Sequence, residues 1–304
     1  MSTKIKDFER TTSRYYITGS EWLYYKIYCG PKTGDKLLLD INSIAERLIE
    51  EKVITKWFFI RYGDPEFHIR VRFEYFDSEK IAVITKELHD MLQYYVDQDL
   101  VWKVMNDTYQ PEIERYGLLS MHAAEDIFYY DSRMIVRLLD LLEGPEGERI
   151  RWLFSLRAMD EFISLFGLSS EEKLNLMRGL SMSFGEEHNK DESLAKQLSK
   201  IFRDNKKDIQ DILDSSKDKE SDWLPAIELI HDKSKNVSEA ISFYKKLDKK
   251  KQLDFVIPNY IGSFLHMLNN RLFRSKNRLH ELVVYDFLFR IYKSNLAREK
   301  YAKK

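Results

Sequence analysis

Residues 57–76 read WFFIRYGDPEFHIRVRFEYF. They form two extended runs around a Tyr62-Gly63-Asp64-Pro65 turn, and in the second run polar and apolar residues alternate strictly, the pattern of a half-buried strand. Ile69, Val71, Phe73 and Tyr75 face one way, and His68, Arg70, Arg72 and Glu74 face the other. If the runs pair as a hairpin with Phe58 and Ile60 in the core, Arg61 falls on the side of Arg70 and Arg72, and three guanidiniums share one sheet face. Residues two apart in a strand lie roughly 6.5 to 7 Å apart, so Arg70 and Arg72 can reach one small anion together. That geometry suits a carboxylate.

Working outward, Glu21–Tyr28 is rich in aromatic residues and ends at Cys29-Gly30-Pro31, which predicts a strand closed by a turn. Leu38, Ile41, Ile44 and Leu48 recur at helical spacing over Lys36–Glu50. Asp77-Ser78 caps a second helix reaching about Tyr95, and Asp99–Asp107 supplies a further strand. The order is βαββαβ over about residues 20–110, a ferredoxin-like α+β arrangement in which two helices cover one face of an antiparallel sheet.

Tyr109–Gly117, YQPEIERYG, leaves the last strand as a loop or single helical turn bracketed by Pro111 and Gly117. From Leu118 onward the periodicity is helical: Met121–Tyr130, Ser132–Leu142, Glu148–Phe166 and Ser170–Met182. A charge-rich run from about Glu187 to Lys251 keeps Leu194, Leu198, Ile201, Ile209 and Ile212 at helical spacing. A tail-like reading stays open for Asp214–Lys219. No linker separates two parts, so residues 1–304 are expected to form a single domain, with the sheet part over about 20–117 and the helical part over about 118–304. Pro258–Phe273, PNYIGSFLHMLNNRLF, is a helix on which Gly262, His266 and Asn270 stack on one face beside Ser263 and Asn269. A last helix spans about Leu279–Leu296.

At 43% hydrophobic and 13% aromatic the chain has ample material for a core. With 49 Lys plus Arg against 50 Asp plus Glu there is no global field to attract nucleic acid or an anionic membrane, so any anion site is local. The start, MSTKIKDFERTTSRYY, lacks the apolar stretch of a signal peptide, and no apolar run is long enough to span a bilayer; the expected location is cytoplasmic. A single cysteine, Cys29, excludes an internal disulfide and a cysteine-based zinc cluster. No Walker pattern, HExxH or GxSxG occurs, and neither a metal nor a cofactor is expected.

Taken singly, the candidate residues decide little. A strand bearing Arg70 and Arg72 also fits a solvated face or an ion-pair ladder with Glu66, Glu74 or Glu112. His266 fits a satisfied interior histidine, Glu112 and Arg115 fit a local pair, and Arg61 fits a stacking cation. Together, WFFIRYGDPEFHIRVRF, YQPEIERYG, the EDIFYYDS segment at Glu125–Ser132 and SFLHMLNNRLF, in this order from about Trp22 to Tyr292, resemble the small C-terminal elimination domain of lantibiotic dehydratases. The same family occurs as a free-standing enzyme in thiopeptide-type bacteriocin clusters.

The resemblance implies that Ser or Thr of a ribosomal precursor peptide is first esterified with glutamate from glutamyl-tRNA by a separate glutamylating enzyme. The eliminating protein then expels glutamate to leave dehydroalanine or dehydrobutyrine. The family's functional residues fall on Arg70, Arg72, Glu112, Arg115 and His266, with Arg61, His68 and Asn270 as further substrate-binding candidates. Where the family motif runs Tyr-Gly-Gly, this chain has Tyr116-Gly117-Leu118. The chemistry fits those side chains. Histidine, with an ordinary pKa of about 6.5, suits removal of the Cα proton, and fixed arginines suit the charge that develops on the peptide carbonyl and the departing carboxylate. Two other functions stay open: the [4+2] cycloaddition of thiopeptide pyridine synthases, and non-catalytic binding of precursor peptide. The sequence does not choose between monomer and homodimer.

Overall fold

The computed structural model describes residues 7–142, 147–215 and 222–302. The chain falls into two compact units, one made of the chain up to Leu141 together with Asn236–Ile257, the other of Leu142–Lys235 and the chain from Pro258 onward.

The first unit is built on four antiparallel strands. In chain order its elements are β1 (Trp22–Cys29), α1 (Pro31–Glu50), β2 (Lys56–Tyr62), β3 (His68–Glu74), α2 (Ile81–Asp97), β4 (Val101–Asp107), α3 (Ile113–Tyr116) and α4 (Met121–Leu141). The sheet order is β2-β3-β1-β4, and every pairing is antiparallel. Helix α1 begins earlier than periodicity alone predicts: Gly30 is the N-cap and Pro31 occupies the first turn, where its missing N–H costs no hydrogen bond. Asp77 accepts a hydrogen bond from the Glu79 backbone N–H at 3.0 Å, which opens the 3-10 turn leading into α2.

Both faces of the sheet are covered over β2 and β3, whereas β4 is exposed from Trp102 to Asn106. Ile69, Val71 and Phe73 lie fully buried on the face that carries α1 and α2; a Cβ placed on Gly34 of α1 would stand 3.2 Å from the Ile69 side chain. On the opposite face α4 packs over β2, with the Phe58 and Phe128 ring centroids 5.4 Å apart and Lys56 Nζ 2.7 Å from Asp126. Helix α4 is one continuous helix where the sequence predicts two. Asp131 and Ser132, which read as a break, are buried in its middle. The Ser132 hydroxyl accepts the Phe59 backbone N–H at 3.2 Å, so α4 closes the outer edge of β2.

The two-sided core corrects the expectation for Arg61. The hairpin pairs Phe58 with Arg72, Ile60 with Arg70 and Arg61 with Ile69. Directly opposed residues share a face, so Phe58 and Ile60 are buried on the arginine face and Arg61 points beneath α1, where its guanidinium lies 2.6 Å from Asp35.

The rest of the described chain is helical: α5 (Gly147–Leu165), α6 (Ser170–Glu187), α7 (Glu192–Asp204), α8 (Lys206–Asp214), α9 (Leu224–Asn236), α10 (Ser238–Lys249), α11 (Ile257–Leu272) and α12 (Asn277–Ala302). Of the apolar residues predicted to line the charge-rich run, Leu198, Ile209 and Ile212 are buried, Leu194 is half-buried and Ile201 is exposed. The part of Asp214–Lys219 from residue 216 on lies outside the described residues. Helix α10 belongs to the first unit and packs on α4. Its Tyr244 hydroxyl lies 3.3 and 3.4 Å from the carbonyls of Tyr116 and Ser120, and its Phe243 ring stands 5.4 Å from Phe8. In the second unit α12 packs along α6 and α5. No helix among the described residues is long and apolar enough to cross a membrane.

Candidate functional site

Arg72 has an unusual environment for its charge. It is 7% exposed, its buried Nε has no hydrogen-bond partner, and among the described residues no carboxylate pairs with it. Three rings surround it instead, with its guanidinium carbon 4.3 Å from the Tyr24 centroid, 4.9 Å from Tyr109 and 5.2 Å from Phe58. Cation–π contacts offset part of the desolvation but leave the charge uncompensated. The strand pairing dictates this box, because Tyr24 and Phe58 are the cross-strand neighbours of Arg72 on β1 and β2.

Arg70 lies two residues along the same face and is half-buried. Its guanidinium stacks 3.5 Å over the Tyr62 ring, and its Nε donates to His68 Nε2 at 3.0 Å. His68 Nδ1 donates in turn to the Glu66 carbonyl at 2.8 Å. These two bonds fix a neutral ring with its proton on Nδ1, in keeping with burial, which pushes the imidazole below its ordinary range. His68, expected as a substrate contact, therefore has both nitrogens engaged in aiming Arg70.

Glu112 and Arg115 flank and occupy the single turn α3, pair with each other at 3.3 Å and are about half exposed. Gly117 ends that turn with φ of +78°, a conformation that favours glycine. Tyr109, which opens the same segment, is one wall of the Arg72 box, so the loop carrying Arg115 leaves directly from the arginine face.

Beside this face lies a cavity of about 480 Å³ lined in part by Arg10, Lys56, Glu74, His122 and Asp126. Its charges pair internally. Lys56 sits 3.7 Å from Glu74 as well as 2.7 Å from Asp126. Burial works against the ammonium, but Glu74, Asp126 and Glu125 outweigh it and hold its pKa above the ordinary lysine value. Arg10 pairs with Glu74 and lies 3.2 Å from His122 Nδ1.

His266 belongs to the second unit. It sits on α11, partly open to solvent, with Nδ1 2.8 Å from Glu281 Oε1 on α12. Glu281 is fully buried, and the Tyr285 hydroxyl donates to the same oxygen at 2.8 Å. With Nδ1–H donating to Glu281, the neutral ring keeps its lone pair on Nε2, the arrangement of an oriented general base. Glu281 escapes sequence reading because it is distant along the chain. Its signal is a carboxylate in the apolar run HELVVYDFLF, four residues before Tyr285.

Asn270 lies one turn beyond His266, and its carbonyl accepts from Asn277 at 3.0 Å. Asn269 is structural: it is buried, and its Oδ1 accepts from the Ser155 hydroxyl at 2.6 Å. Burial pushes the Cys29 thiol up to about 12, which leaves it an inert core group. No group of metal-ligating side chains occurs among the described residues.

Residues 22–292 match the family described as lantibiotic biosynthesis dehydratase C-term. The chain is 26% identical over 277 residues to the subtilin biosynthesis protein SpaB of Bacillus subtilis, covering 90% of this chain and 26% of that protein. It thus spans about a quarter of the length of that relative. Among solved structures, the tRNA dependent lantibiotic dehydratase MibB from Microbispora sp. 107891 superposes with a TM-score of 0.69 at 23% identity, over 93% of this chain and 29% of that one. TbtD, a pyridine synthase from thiomuracin biosynthesis, superposes with a TM-score of 0.63 at 11% identity, over 90% of this chain and 99% of that one. These structural likenesses concern the fold.

Proposed function

The chain belongs to the lantibiotic biosynthesis dehydratase C-terminal family, and from that premise we propose that it eliminates glutamate from glutamylated Ser or Thr of a ribosomal precursor peptide. On this reading the β1α1β2β3α2β4 order is the ferredoxin-like arrangement, used to display cations on one face. A separate tRNA-dependent enzyme supplies the glutamyl ester. The observation that carries the proposal is Arg72, a buried guanidinium with no carboxylate partner among the described residues, next to Arg70 on the same face. An acidic adduct would supply the missing negative charge.

In the reaction the His266 Nε2 lone pair takes the Cα proton, and the C–H electrons become the Cα=Cβ double bond. The Cβ–O bond breaks, and glutamate leaves as a carboxylate. Glu281 orients the imidazole. Arg70, Arg72 and Arg115 stabilise charge on the peptide carbonyl and on the leaving carboxylate, with Glu112 orienting Arg115. Asn270, on the helix of His266, contacts the substrate.

The test is incubation with a synthetic peptide carrying one O-glutamyl serine, followed by mass spectrometry. The wild-type protein should release glutamate and leave dehydroalanine. Arg72→Lys keeps the charge but loses the fork and should slow release by about 10²- to 10³-fold; His266→Ala should slow it by about 10²-fold or more. An ester left intact by the wild-type protein, or full activity in Arg72→Lys, overturns the reading. Ring closure between two dehydroalanines would assign a cycloaddition instead, and binding without turnover a peptide-presenting role.

A further inference from the structure

The geometry points to Tyr109, anchored by the buried carboxylate of Glu125, as a positioning residue for Arg72, an inference that rests on the eliminating role proposed above. Tyr109 is 3% exposed, and its hydroxyl donates to Glu125 Oε1 at 3.0 Å. Glu125 is fully buried on α4, and its other oxygen lies 2.9 Å from His122 Nδ1. The Tyr109 ring is fixed on its remaining sides. Trp22 meets it edge-on at 5.3 Å, Phe58 does so at 6.0 Å, and Tyr16 stacks on it at 5.8 Å. Its backbone is tied to Tyr16 by two hydrogen bonds of 2.8 and 2.9 Å.

A ring held this way has one unoccupied task. It forms the wall of the Arg72 box that neither neighbouring strand provides, since Tyr24 and Phe58 come from β1 and β2 whereas Tyr109 comes from beyond β4. Among the described residues no ion pair orients the guanidinium, so its aim depends on those three rings. Tyr109 also starts the segment that carries Glu112 and Arg115, so one anchored side chain sets where Arg72 points and where the Arg115 turn departs. YQPEIERYG and EDIFYYDS, two separate motifs in the chain, meet at this hydrogen bond.

A double-mutant cycle tests the assignment. Tyr109→Leu and Arg72→Lys are made singly and together in the full chain, and kcat and KM are measured for glutamate release from the synthetic O-glutamyl-serine peptide. Tyr109→Leu should lower kcat at least tenfold in the wild-type background and less than threefold beside Arg72→Lys, because residues acting through one guanidinium do not add. Equal losses in both backgrounds would mark a merely structural residue and overturn the inference. If Tyr109→Leu does not fold, Tyr109→Phe keeps the ring and drops only the anchor. It should lower kcat threefold to tenfold while KM holds, and an unchanged kcat overturns the assignment. The wild-type control reports separately on the parent reading: no glutamate released means that reading has failed, and the positioning role falls with it.

Discussion

Arg61 meets Asp35 at 2.6 Å beneath α1, while Arg72, across the same hairpin, has rings for neighbours and no carboxylate among the described residues. Truncating the two should therefore have opposite consequences. Arg61→Met deprives a buried carboxylate of its cation and should cost about 3–5 kcal/mol in urea unfolding, with elimination limited only by the amount of folded protein. Arg72→Met replaces an uncompensated buried charge with an apolar chain and should stay within about 1 kcal/mol of wild type while abolishing glutamate release. His68 adds a pH dependence. Burial lowers its pKa in the folded protein, so between that value and the ordinary one near 6.5 the unfolded chain holds more protons. Its contribution is complete above that range and is lost as pH falls through it. Urea midpoints should decline from pH 7.5 to 5, and His68→Gln should flatten the decline. Protonation of His68 in the folded protein also removes the acceptor for Arg70 Nε, so the aim of Arg70 is lost only as pH falls through the lowered folded-state value.

At the level of elements, the strands and the late helix were legible because periodicity reports a side chain's face directly. Alternation in His68–Glu74 placed Arg70 and Arg72 together, and the register agrees. What alternation does not report is how many faces are covered, and Arg61 was misplaced for that reason. Alternation predicts a half-buried sheet, whereas α4 also covers the second face over β2. The helical periodicity predicts two runs that meet at Asp131, yet Ser132 lies mid-helix and satisfies a strand N–H that no neighbouring strand reaches. Ser132→Ala should leave that buried donor unpaired and cost about 1–3 kcal/mol, checked by chemical denaturation. Ser132→Thr, which retains the hydroxyl, should recover part of the loss. The partner Glu281 escapes for a related reason: its contact with His266 joins two helices and carries no local period.

On the scale of the whole molecule, composition indicates a well-stocked core and no global charge, but not a first unit that closes with residues from far along the chain. Helix α10 returns to cover α4 and supplies Ala240, Ile241, Phe243, Tyr244 and Leu247 to the core. A chain ended after Lys235 keeps every strand yet should lose cooperative unfolding and bind a hydrophobic dye, because the apolar flank of α4 is left bare. The same detour matters during synthesis. Helix α4 leaves the ribosome about 100 residues before the helix that seals it, and the delay lasts roughly 5 to 20 s at about 5–20 residues per second. Throughout that interval the nascent chain presents a greasy helix surface, which makes it a natural client for a chaperone and an early target for proteases.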